Sequence, residues 1–173
     1  MKSFESILQH VNTFHELGET IQAAEFILKE YGLHHPNFKG FELRDRALPS
    51  MIVLTTEGVI GEPQIIRIPE NAFEFELVMM LNLIAHEMVH VIQKSPNVKL
   101  EDKNEREWQA YYEMLFHKIY PQIPEASDFH KKLFAEKALL YYNRMEKDGE
   151  LQQKYAEQKK EVELLLVNLE SKK

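Results

Sequence analysis

The segment Phe73 to Lys94 runs 22 residues without a glycine or proline. Phe73, Phe75, Leu77, Val78, Met79, Met80, Leu81, Leu83, Ile84, Ala85, Met88, Val89, Val91 and Ile92 place apolar side chains around most of its circumference when it is wound as a helix. Such a helix has no face to give to water and belongs in the core. The same stretch carries His86, Glu87 and His90. Burying two imidazoles and a carboxylate is costly unless something satisfies them, so the fold must enclose this helix and still provide those three residues with partners.

The rest of the chain arranges itself around that helix. Phe4, Ile7, Leu8, Val11 and Phe14, then Ile21, Ala24, Ile27 and Leu28, recur near a helical period; Gly18 is a possible break and Gly32 a stop, giving one long helix or two short ones over residues 1–37. Two β-rich runs, Met51 to Thr56 and Gln64 to Ile68, flank Gly58, Gly61 and Pro63, which predicts a small antiparallel hairpin or sheet. After the core helix, a charged loop leads to a further helix from about Glu105 to Tyr120, stopped by Pro121 and Pro124. Residues 121–173 are charged and helical with a break at Asp148-Gly149. Their stripe of Leu151, Tyr155, Val162, Leu166 and Leu169 is too short for a coiled coil and reads as a helical hairpin packed on the domain. At 173 residues the chain is expected to form one domain of predominantly helical α+β class, divided into 1–37, 38–120 and 121–173.

The chain has no cysteine, which excludes disulfide frameworks, thiolate zinc ribbons and cysteine nucleophiles; any metal site must use His and carboxylate. Its 28 acidic and 21 basic residues give a net charge of −7, which argues against a sequence-independent hold on nucleic acid. The first residues lack the apolar run of a secretory signal, and no stretch reads as a membrane span, so the expected location is the cytoplasm.

Within the core helix, Ala85-His86-Glu87-Met88-Val89-His90 contains H-E-x-x-H. Residues four apart share a helix face, so His86 and His90 can address one zinc ion while Glu87, rotated by about 100°, flanks it as general base for an attacking water. A catalytic zinc takes three protein ligands and keeps one position open. The extended metzincin pattern fails, because Gln93 and Pro96 stand where Gly and His are required. Glu105, Glu107, Glu113, His117 and His130 remain as third-ligand candidates, with Glu113 expected to face solvent.

From Gln64 to Phe116 the chain resembles the gluzincin group of zinc metallopeptidases, in which a second helix supplies a Glu followed three positions later by a small residue. Glu107-Trp108-Gln109-Ala110 matches that register, 17 residues beyond His90. The resemblance implies a zincin-like core, Zn2+ as cofactor, and Glu107 as third ligand. It also implies a partner for a ligand imidazole where this chain has Tyr111, and a strand along the cleft, for which Gln64 to Ile68 has the right position. Gln93, one turn past His90, is a further supporting residue, able to hold a carbonyl or a ligand carboxylate. Tyr111, Tyr112, His117, His130, Tyr141 and Tyr142 are candidates to stabilise an oxyanion, though core packing is the better account of any one of them. His34-His35 reads as surface, and Trp108 as a wedge between the two ligand helices.

The expectation is therefore a metallopeptidase, monomeric or weakly dimeric, acting on a peptide or protein and binding neither nucleic acid nor membrane. Its rivals are a zincin-like module that binds metal without cleaving, and a purely structural helical protein in which the motif is coincidental. No basic pocket for a substrate carboxylate is evident in the sequence.

Overall fold

A computed structural model describes residues 2–171, which form seven α-helices and three strands. Helices α1 (Phe4–Glu16) and α2 (Thr20–Glu30) are separate, parted at Gly18, whose φ of +73° is the left-handed turn a glycine adopts at little cost. Ser3 caps α1, accepting from Ser6 N–H, and Ile7 and Val11 face inward. Gly32, at φ +61°, ends the second helix.

The sheet has the order β1-β3-β2, with β1 Phe38–Arg44, β2 Thr55–Glu57 and β3 Gln64–Pro69. The hairpin β2–β3 is antiparallel, as expected, but only three residues of the Met51–Thr56 region and its flank enter the ladder; 52–54 run on alone. Strand β1 pairs parallel with β3 and was not anticipated. Its charges, Lys39, Glu42 and Arg44, mask the alternation of Phe38 with its neighbours, and parallel pairing across 26 positions (Phe38 with Gln64) leaves no local turn signal. Strand β3 is thus central, with both edges occupied. This corrects the expectation that Gln64 to Ile68 edges the cleft; that position is held by residues 52–56.

The core helix α3 spans Leu77–Gln93. It begins later than Phe73 because Ala72–Glu74 form a separate 3-10 turn and Phe75 is extended. Nearly all of α3 is buried, including His86, Glu87, His90 and Gln93. Helix α4 (Lys103–Phe116) starts at Asp102, whose side chain accepts from Glu105 N–H at 2.8 Å. It stops a turn before Pro121, at His117, which takes the left-handed conformation. Helices α5 (Asp128–Arg144), α6 (Glu150–Lys154) and α7 (Ala156–Glu170) follow, with the bend at 145–149.

Two apolar clusters result. One joins α1, α2, the sheet and α3; the other joins α4 to α5 and the last helices. Helix α4 belongs to both, sending Ala110 into the first and Trp108 and Tyr112 into the second. Trp108 is fully buried against Tyr112, Tyr142 and Tyr155, so it fixes α4 to the C-terminal helices and not, as expected, to α3. No helix among the described residues is long and apolar enough to cross a membrane.

Candidate metal centre

His86 and His90 lie one turn apart on the face of α3 that meets α4, and Glu107 projects from α4 toward them. The two Nε2 atoms are 3.1 Å apart, and the Glu107 oxygens lie 3.7 Å from His86 Nε2 and 3.8 Å from His90 Nε2. One ligand atom from each residue falls within 4.8 Å of the others, and this is the only such trio among the described residues. For two nitrogens at about 2.0–2.1 Å from a tetrahedral zinc, a separation of about 3.3 Å is expected.

The protons on these groups follow from their outer partners. Gln93 Nε2 lies 3.0 Å from the Arg106 carbonyl oxygen, which can only accept, so that end of the amide is the NH2 group. Gln93 Oε1 therefore faces His90 Nδ1 at 2.8 Å and accepts its proton. Burial, and next the neighbouring His86, push the His90 pKa below the ordinary imidazole value, so the ring is neutral and its Nε2 carries a lone pair. His86 Nδ1 sits 3.2 Å from Met114 Sδ, a weak acceptor, which turns its Nε2 toward the same point. Two imidazole nitrogens and a carboxylate thus converge. A single proton satisfies at most two of them, whereas a divalent cation satisfies all three, so the donor set fits a metal ion.

Gln93 is buried where α3 meets α4. Its Nε2 also donates to Gln109 Oε1 at 3.0 Å; Gln109 donates to Tyr155 Oη at 2.6 Å, and Tyr155 donates to Glu105 Oε1 at 2.5 Å. Glu105 also pairs with Lys154 at 2.8 Å, so this rival for third ligand faces the C-terminal helices. Tyr111 meets the site by its ring, edge-on to His86 with centroids 4.7 Å apart and stacked on Tyr141. The imidazole N–H of His86 goes to Met114 and not to a tyrosine hydroxyl.

The remaining candidates are occupied elsewhere. Glu113 is buried, contrary to the solvent-facing expectation, because its carboxylate accepts from the N–H groups of Lys118, Ile119 and Tyr120 at 2.8–2.9 Å where α4 ends. His117 bonds Asn82, His130 bonds Ser127, Tyr112 bonds Glu161, and Tyr142 donates to the Gln152 carbonyl. His34 is exposed, and His35 accepts from Asn37 N–H.

Glu87 lines the same cleft, a hollow of about 410 Å³ bounded by residues 52–56, α3 and the start of α4. Its Oε2 accepts from Thr56 Oγ1 at 2.7 Å, while Oε1 has no protein partner among the described residues. Lys94 reaches over to the Thr56 carbonyl at 2.6 Å. Burial, and then the nearby Arg106, lower the pKa of that ammonium. Lys103 and Arg106 line the same end. The sequence showed no basic pocket because Lys94 and this pair lie on different helices. No family model, curated protein or solved structure matches the chain.

Proposed function

We propose that the protein is a zinc-dependent metallopeptidase in which His86, His90 and Glu107 hold the ion and Glu87 is the general base. The observation that carries this reading is the convergence of two imidazole lone pairs and one carboxylate beside a second carboxylate that none of them engages. Two His and one Glu suit zinc. When bound there, the ion lowers the pKa of a water toward about 7 and polarises the substrate carbonyl.

The protein's own groups account for the remaining steps. Gln93 holds His90 in the tautomer that directs Nε2 at the ion. Glu87 takes a proton from the attacking water through its free Oε1 and delivers it to the leaving amine, and Thr56 keeps the other oxygen fixed during both transfers. Residues 52–56 run beside the cleft as one of its walls, which suits an extended segment of a peptide or protein substrate.

Metal content and cleavage of a peptide library by wild type and Glu87→Gln test the reading. About one zinc per chain in both, with cleavage lost in the variant, supports it. Metal without cleavage in either leaves a binding module. Absence of metal from both proteins, even after zinc is supplied, refutes the assignment.

A further inference from the structure

The cleft changes character from one end to the other, and its three walls agree on the direction. Along α3 the residues facing it run from Leu83 through His86, Glu87 and His90 to Lys94. At 1.5 Å per residue, Leu83 to Lys94 is ~16 Å, the length of about five extended residues. Along α4 the order is Tyr111, Glu107, then Arg106 and Lys103. On the third wall, Ile52 and Val53 precede Thr56, whose carbonyl receives Lys94. One end is therefore apolar and opens into a second hollow of about 640 Å³ that shares Leu83, Tyr111, Ile52 and Val53 and is flanked by Phe129, 75% exposed. The other end is cationic.

The cations at that end feel nearby carboxylates but contact none: Glu87, Glu57 and Glu107 act on Lys94, and Lys103 on Glu107, only through space. Lys94, Lys103 and Arg106 have no ion-pair partner among the described residues. Lys94 donates to the Thr56 carbonyl, and Arg106 to the carbonyls of Leu100 and Glu101, contacts that orient a cation without neutralising it. Of those carboxylates, Glu57 pairs with Arg67 at 3.0 Å, Glu107 faces the histidines, and Thr56 holds one oxygen of Glu87. In a chain of net charge −7, three cations at one end of a cleft with no direct ion pair do not follow from composition. A desolvated ammonium such as Lys94 gains from an incoming anion.

We propose that the end of the cleft formed by Lys94, Lys103 and Arg106 receives a carboxylate of the substrate, with apolar side chains of the same segment lying toward Leu83 and Ile52. The carboxylate is either the chain terminus or an Asp or Glu side chain. This rests on the peptidase reading above. One helical turn, ~5–6 Å, separates His90 from Lys94 and corresponds to about two extended residues, so the cut falls about two residues from the carboxylate.

The test is a binding titration of zinc-loaded Glu87→Gln with labelled apolar peptides of about six residues, made with free-acid or amidated ends and with Glu or Gln at an inner position. Carboxylate-bearing forms are expected to bind about fivefold tighter, the order of an exposed charge pair. The advantage should shrink with salt, fall in Lys103→Gln, vanish in the Lys94→Gln, Lys103→Gln double variant and persist in Lys103→Arg. The acid-against-amide and Glu-against-Gln arms tell a terminal carboxylate from an internal one. Equal binding of all four forms overturns the proposal, as does a preference unchanged by Lys103→Gln. Wild-type cleavage of the same peptides is read separately: cleavage without preference sinks the carboxylate site alone, and preference without Glu87-dependent cleavage sinks the peptidase reading alone. Neither binding nor cleavage sinks both.

Discussion

The Thr56 hydroxyl donates to Glu87 Oε2 at 2.7 Å, with the Glu87 carbonyl a second acceptor at 3.0 Å, joining strand β2 to the residue beside the first histidine. Thr56→Val removes that bond with little change in volume. A hydrogen bond to a charged group contributes ~1.5–3 kcal/mol, so kcat should fall about tenfold to a hundredfold. Thr56→Ser should recover most of it. Zinc stoichiometry should be unchanged in both variants, separating Thr56 from the ligands.

Gln93 sets the proton on His90, and Gln93→Leu deprives Nδ1 of its acceptor. Zinc affinity, read by competition with a chelator, should drop about tenfold to a hundredfold, the usual cost of losing such a partner. An unaltered affinity would show that the imidazole is oriented by packing alone.

Glu113 gathers the N–H groups of Lys118, Ile119 and Tyr120. Glu113→Ala leaves these donors without their acceptor and should lower the unfolding free energy by on the order of 3 kcal/mol in a denaturant titration. Glu113→Gln keeps one acceptor oxygen and should fall between the two.

Stability without metal should decline in acid. Burial lowers the pKa of both His90 and His117, so the folded protein binds fewer protons than the unfolded chain and stability rises with pH. The neutral rings' contribution is fully present above the ordinary imidazole value of about 6.5 and is lost as the pH falls below it through the depressed folded values. Denaturation in a chelator at pH 7.5 and 5.5 checks the sign, and His117→Asn should flatten the slope.

The core helix and its motif are legible because both signals are local: apolar residues on all sides, and two His one turn apart. Glu107 is legible only through its register with Ala110, since nothing nearby in sequence distinguishes it from Glu105 or Glu113. Those two differ from it in what they meet in space, Tyr155 for one and the backbone after α4 for the other. Strand β1 escapes for a similar reason, its partner lying beyond both the loop and β2. Thr56 carries no signal of its own, because its role comes from the sheet being laid against α3.

The path from His90 through Gln93 and Gln109 to Tyr155 bears on the order of assembly. Every donor atom has been synthesised by residue 107, yet the residue that anchors His90's support comes 48 positions later. A chain that stopped before the α6–α7 corner would carry all three donors but lack Tyr155, the residue to which Gln109 donates. Any metal held by His86, His90 and Glu107 would gain that brace only once the corner has folded against α4.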